Sequence, residues 1–509
     1  MTKDRDKAPF WALVEGTGGD VSGREQRAWF VGGCLAGFAA AMFFQPWNIP
    51  LVSRDSTLFF YVAERAAHGV APYVSAFFPQ VALSILPPAL FIRVGELFGI
   101  TPLAASRVAS VLTFSITIGA LCLATLRLTR SRFAAALATL AMLSFTWQVL
   151  FAATGSQTKT VLSMFLALTL LAMTCRRYGL AGASAAAVAL CYQAGLLLPP
   201  TVLVIAGLAE RRRSAVMRAL AGSAVVAAAF AAYLWAGGAL SAALDQSWSF
   251  PLGSGRSSEM ATVSENFLVG GWMWGAGQRN TLRLLFVLSS ILLAYWMARR
   301  PRAFLSGLRE RPGWLFWFVA FVPILFYSAT DSGGAADLML IMPFASVIVG
   351  ITVAAVIRRV LPQASPRHAV MAFVLLAALA VTGEDYLRMK RIIKWNLDEQ
   401  LALGEVVGGW LDEGRAVYAL GATHLLAFNR APNWLIYASS HAVRPETGYH
   451  AFVNGPGPFV PTNSDGELPD IILWNAGLPV GWPEWLEREY VNITTPLFEE
   501  HKTQVWEKR

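Results

Sequence analysis

The chain has 509 residues, of which 55% are hydrophobic and only 14% charged. A soluble domain carries about 25% charged residues, so this composition excludes an ordinary soluble enzyme and predicts a polytopic, mostly α-helical membrane protein. Its formal net charge of +9 implies no nucleic-acid partner, because the arginines cluster in short loops between apolar runs, where they act as topology signals.

The N-terminal segment to Arg27 is polar and mixed in charge, and reads as cytoplasmic. No cleavable signal peptide is visible, and the first apolar run reads as a retained span. Apolar runs long enough to cross a bilayer recur at 28–46, 104–126, 133–151, 160–175, 178–192, 194–209, 216–237, 280–298, 313–328, 338–357 and 368–383. A further run, 81–99, is ambiguous. The basic loops resolve it: Arg127/Arg130/Arg132, Arg176/Arg177, Arg211/Arg212/Arg213, Arg299/Arg300/Arg302 and Arg358/Arg359 all fall inside only if 81–99 does not span. Pro87-Pro88, Arg93 and Glu96 suit an interfacial helix there. The expectation is about eleven spans, with the N-terminus in and the C-terminus out.

This organisation gives a cytoplasmic segment 1–27, a transmembrane domain 28–383 with an outer loop 47–103, and an outer C-terminal domain 384–509. The last of these reads as small and α/β. Asp398 to Leu411 has helical periodicity, Ala416 to Gly421 reads as a buried strand ending in a turn, and Ile471 to Trp474 as another. Trp482 to Tyr490 reads as a helix and Thr503 to Trp506 as a last strand. Gly455-Pro456-Gly457-Pro458 reads as a loop, with no nucleotide-binding glycine pattern. Cys34, Cys122, Cys175 and Cys191 all lie in or beside apolar runs, so neither a disulfide framework nor a cysteine metal site is expected. The Arg388/Lys390/Arg391/Lys394 cluster reads as a helix face on anionic head groups.

The most informative stretch follows the first span. It begins Arg54-Asp55-Ser56-Thr57-Leu58-Phe59-Phe60-Tyr61 and continues through His68-Gly69 and Pro72-Tyr73 to Phe77-Phe78-Pro79-Gln80. An acid at a membrane edge is costly unless it has a role. Asp55 suits a helix N-cap, and it equally suits a general base. Displacement at an anomeric carbon needs such a carboxylate, together with cations that stabilise a departing phosphate.

The ordered set carries a family likeness. An acid follows span one, then come Phe-Phe-Tyr-Val-Ala-Glu-Arg, His-Gly-Val-Ala-Pro-Tyr and Phe-Phe-Pro-Gln. An apolar helix ending Leu-Phe-Gly-Ile follows, and Ala-Ala-Ser-Arg opens span two. This resembles the GT-C superfamily of membrane glycosyltransferases, which includes protein O-mannosyltransferases and lipid A aminoarabinose transferases. The likeness is detailed over about residues 47–175 and topological beyond. It implies transfer of a hexosyl or pentosyl group from a polyprenyl-phosphate sugar to a glycan, lipid or protein acceptor at the outer face. By position, the acid that acts on the acceptor is Asp55.

Around it, Arg54, Arg65, His68 and Tyr73 are polar candidates for donor-phosphate or acceptor contacts. Many relatives carry a second acid before the fourth span. Here Thr154-Gly155-Ser156-Gln157-Thr158-Lys159-Thr160 has none, and Lys159 stands about where it would be. Gln157 and Lys159 are therefore further candidates, Lys159 as a point charge on phosphate. No cofactor is firmly implied; a divalent metal is compatible with the class without support from the residues. Asp331 and Asp337, before the span containing Pro343, and Arg256 complete the candidate set.

Two other readings stay open: a transporter or flippase of a lipid-linked or glycan substrate, and a non-catalytic glycan-assembly protein. The spans carry almost no midplane charge and no internal repeat, features a transporter commonly shows. The Ala/Arg/Gly bias suggests a bacterial inner membrane.

Overall fold

A computed structural model of the chain describes residues 21–51, 54–155, 157–210, 212–253, 280–299, 308, 310–330, 340–361, 363–392, 397–438, 440–443, 448–454, 459–475 and 484–509. Arg256, Asp331, Asp337 and the 455–458 loop lie outside them.

Each of the eleven apolar runs is helical. In chain order, α1 is Gly23–Phe43, α2 the intervening Arg54–Ala67, α3 Leu86–Glu96 and α4 Pro102–Thr129. Then come α5 Arg132–Leu143, α6 Thr146–Thr154, α7 Thr158–Thr174, α8 Tyr178–Cys191, α9 Leu198–Glu210 and α10 Arg213–Ala236. The set continues with α11 Asn280–Arg299, α12 Pro312–Thr330, α13 Met342–Val360 and α14 Ala364–Ile392. Among the described residues, five helical segments are long and apolar enough to cross a membrane on their own, or six if α5 and α6 count as one. Those two meet at 65°, so the run 133–151 is bent rather than a straight rod.

Local chemistry starts the helices where they start. The Ser22 hydroxyl accepts from Glu25 N and caps α1. Thr101 caps α4 ahead of Pro102, and Ser131 caps α5. The ambiguous run 81–99 is a 3₁₀ turn, Ala82–Ile85, followed by the short α3. Pro87 and Pro88 fit its first turn, where an N–H has no intrahelical partner. Leu90, Leu97 and Phe98 are all exposed, the pattern of a helix lying on an apolar surface.

Alternate helix ends gather at opposite ends of the bundle. Arg132 pairs with Glu25 at 2.5 Å, Arg176 with Glu210 at 3.0 Å, and Arg176 also donates to Glu310 O. Trp314 Nε1 donates to Leu128 O at 3.1 Å on the same end. The basic turns at Arg132 and Arg176 thus share one end with Glu25, Glu210 and Glu310. Small residues allow the closest helix approaches: a Cβ added to Gly33 of α1 would lie 2.9 Å from Gly119 Cα of α4. Gly182 and Gly222 would similarly strike the facing backbones of α10 and α8.

At the opposite end sits the C-terminal region. It contains helix α15, Leu397–Asp412, and strands β1 Val417–Leu420, β2 Ile471–Asn475, β3 Tyr490–Asn492 and β4 Thr503–Lys508. The sheet order is β1-β2-β4-β3, parallel between β1 and β2 and antiparallel elsewhere. Sequence periodicity reaches three of these strands. It misses β3, because Trp482 to Tyr490 reads as one helix; the described helix Glu484–Glu489 ends before Tyr490, which already pairs with Lys508. This small α/β unit does not stand apart: one apolar core joins Phe60, Phe78 and Ile85 of the 47–103 loop to Leu403, Leu425 and Leu473.

Candidate active site

Helix α2 begins at Arg54, so Asp55 lies inside its first turn and not at the cap position. Its carboxylate is exposed there, where the helix N-terminus favours negative charge. Directly behind Asp55, Ser56 and Thr57 are buried, at 0% and 4% exposure.

A connected polar layer lies beneath that turn. Gln157 Nε2 donates to Ser56 Oγ at 3.2 Å, and Thr158 Oγ1 donates to Gln80 Oε1 at 2.9 Å. The Gln80 carbonyl accepts from the Tyr73 and Ser247 hydroxyls at 2.9 and 3.0 Å. Ser247 Oγ also donates to the Tyr73 hydroxyl at 3.1 Å, which accepts from Ala82 N at 2.9 Å as well. Gln193 Nε2 donates to Pro79 O at 2.6 Å and to Ser247 O at 3.0 Å. Tyr73 itself has φ 72, a conformation that non-glycine side chains adopt only when their surroundings enforce it. Its hydroxyl is therefore a structural junction, and burial pushes its phenol pKa up.

Lys159 sits in the first turn of α7, 6% exposed, with its amine 5.5 Å from the centre of the Tyr192 ring. A cation in a first turn opposes the helix dipole, and together with the positive end of that dipole it forms an attractive place for an anion.

Arg107 of α4 is 1% exposed. Its Nε donates to Thr154 O at 3.2 Å and its Nη2 to Ile49 O. One guanidinium thus ties the segment before Asp55 to the loop before Lys159. Among the described residues no carboxylate pairs with it. Sequence reading takes this residue only as the last of the Ala-Ala-Ser-Arg that opens span two and gives it no role; the available signal was an arginine one turn inside a membrane-length apolar helix.

Arg65 and His68 are near Asp55 in sequence and remote from it in space. Thirteen residues of helix separate Asp55 from His68, roughly 20 Å at 1.5 Å per residue. His68 Nδ1 lies 2.9 Å from Glu64 Oε1, and its Nε2 lies 2.9 Å from Glu96 Oε1. Glu96 also pairs with Arg93 at 3.3 Å and Arg430 at 3.1 Å, while Arg65 Nη1 donates to Arg430 O. Glu64 is fully buried, and burial raises its carboxyl pKa against the opposing pull of His68, Arg65 and Arg430. These groups form a strut between α2, α3 and the C-terminal domain. Among the described residues, no group of three His, Cys, Asp or Glu side chains is arranged to hold a metal ion.

This fold, a helical bundle carrying a C-terminal α/β unit, is found in solved structures. It is similar to that of ArnT, a lipid A aminoarabinose transferase, from Cupriavidus metallidurans bound to undecaprenyl phosphate: 15% identity, TM-score 0.52, over 95% of this chain and 98% of that one. It is also similar to the archaeal oligosaccharyltransferase AglB from Archaeoglobus fulgidus, in complex with an inhibitory peptide and a dolichol-phosphate. That match has 13% identity and TM-score 0.52, over 88% of this chain and 69% of that one. No family model matches the sequence, and no curated protein matches it significantly.

Proposed function

We propose that the chain is a glycosyltransferase that moves a sugar from a polyprenyl-phosphate carrier to an acceptor hydroxyl at the outer face of the membrane. The observation that carries this reading is the exposed Asp55 carboxylate, set through Ser56 and Gln157 beside the first turn of α7 with its buried Lys159. The fold likeness supports it. Two of the similar structures were solved with undecaprenyl phosphate and dolichol-phosphate, both polyprenyl phosphates.

In the proposed reaction the acceptor oxygen attacks the anomeric carbon and a new C–O bond forms. The bond from that carbon to the phosphate oxygen breaks, and its electron pair leaves with the polyprenyl phosphate. The acceptor proton passes to Asp55, which acts as general base. Lys159 and the N–H groups opening α7 stabilise the charge on the departing phosphate. Arg54 and Arg256 are proposed phosphate ligands, and Gln157, Asp331 and Asp337 proposed acceptor or donor contacts. Arg65, His68 and Tyr73 act in support of the fold. No metal is required in this scheme, since a protein cation takes the charge a metal would take.

The chain would lie in a bacterial inner membrane with about eleven spans. Its N-terminal segment would be cytoplasmic and the region from residue 384 periplasmic. A donor screen tests the function: purified protein in nanodiscs is incubated with a panel of polyprenyl-phosphate sugars, and mass spectrometry follows sugar release or transfer. Turnover of one donor is the expected result. Substrate-dependent uptake without turnover, unaffected by Asp55→Asn, would instead indicate a transporter.

A further inference from the structure

The approach to Asp55 is held from two sides. On one side Arg107 donates to Ile49 O. On the other, the side-chain amide of Gln400 faces the backbone of Leu51. Leu51 N donates to Gln400 Oε1 at 2.9 Å, and Gln400 Nε2 donates to Leu51 O at 3.2 Å. One residue type thus reproduces both bonds of a paired strand. Leu397 N adds a bond to Asn48 O at 3.2 Å. Gln400 and Leu51 are each 3% exposed, so water does not replace these bonds when they are lost.

The same domain grips the loop at two further points. Asn433 N donates to the Tyr61 hydroxyl at 2.8 Å, on α2 itself, and Phe77 N donates to Ile436 O at 2.7 Å. Asn433 is in turn fixed to the edge of β1, its side-chain amide bonding Ala419 N at 2.7 Å and Ala419 O at 2.9 Å. The grips at Leu51 and Tyr61 bracket Asp55 from four residues before to six residues after.

We infer that the C-terminal domain is the scaffold that sets the catalytic loop, with Gln400 a positioning residue for Asp55; this rests on Asp55 being the base. Acceptor capture is not needed to explain the domain's presence. A small displacement of a reacting group lowers turnover by up to about 100-fold without removing binding. Gln400→Met keeps the side-chain length and deletes both bonds. Gln400→Glu keeps the acceptor and sets a carboxylate against the Leu51 carbonyl.

The test uses the full chain in nanodiscs, with two readouts. Hydrogen exchange over 48–61 is compared with exchange over 471–475, the strand that reports whether the domain remains folded. Donor turnover and donor affinity are measured on the same samples. Both variants are expected to exchange at least about tenfold faster over 48–61, with 471–475 unchanged. The turnover number should fall about 10- to 100-fold at nearly unchanged donor affinity. Wild-type protection over 48–61, or faster exchange with wild-type turnover, overturns the inference. Should Gln400→Met unfold 471–475, Gln400→Glu decides by the same criteria. If Asp55→Asn retains full turnover while the Gln400 variants lose it, Gln400 holds the loop as argued and it is the base assignment that fails.

Discussion

Asp55 and Lys159 divide the proposed chemistry by charge, one taking a proton from the acceptor and the other meeting the phosphate. Lys159→Met should therefore weaken donor binding more than it slows the bound reaction. Loss of a hydrogen bond to a charged group is worth about 1.5–3 kcal/mol, roughly 10- to 100-fold in Kd, readable by competition with a short-chain polyprenyl phosphate. Arg107 acts differently. Arg107→Met leaves the carbonyls of Ile49 and Thr154 without their buried donor, at about 1–3 kcal/mol each, so a lower thermal midpoint in nanodiscs should accompany lower turnover. The difference explains what the sequence discloses. Asp55 is legible because an acid just past an apolar run is costly wherever it lies. Arg107 is not, because its partners are carbonyls 58 and 47 residues away, brought to it only by the packing of α4. His68 and Arg65 show the complementary effect: sequence proximity along a helix is distance in space.

Helix periodicity and basic loops disclose the bundle, while the contacts that join its elements rest on small residues and side-chain amides. Replacing Gly222 by Leu should separate α8 from α10, since even a Cβ there meets the Gly179 backbone. A reduced melting temperature, with the donor site chemically intact, is the expected outcome. In the C-terminal domain, His424 lies buried, edge-to-face with the ring of Phe428. Burial, with a smaller push from His501, drives its pKa from the ordinary 6.5 down to about 3. The folded domain therefore favours the neutral ring. Its contribution is fully present above the unfolded pKa and is lost as pH falls from about 6.5 towards 3. His424→Phe should flatten that acid dependence, as followed by hydrogen exchange in β1 and β2. Strands β1, β2 and β4 were legible as short apolar runs. The three-residue β3 was not, because its pairing with β4 overrides the helical pattern that precedes it.

At the scale of the whole molecule, the basic turns at Arg132 and Arg176 lie at one end and Asp55, Lys159 and the α/β domain at the other. That separation is the geometry expected of an enzyme that meets a lipid-linked donor in the bilayer and an acceptor from outside. A single cysteine introduced at the exposed Asp465, in an otherwise cysteine-free chain, should react with an impermeant maleimide added to intact cells. The measurement that tests the central claim most directly compares wild type with Asp55→Asn on the donor found by screening, with acceptor present and donor affinity measured alongside. Removing a general base predicts a fall in turnover of about 10²- to 10⁴-fold with donor affinity preserved. Turnover within a few-fold of wild type in a folded Asp55→Asn protein would contradict it.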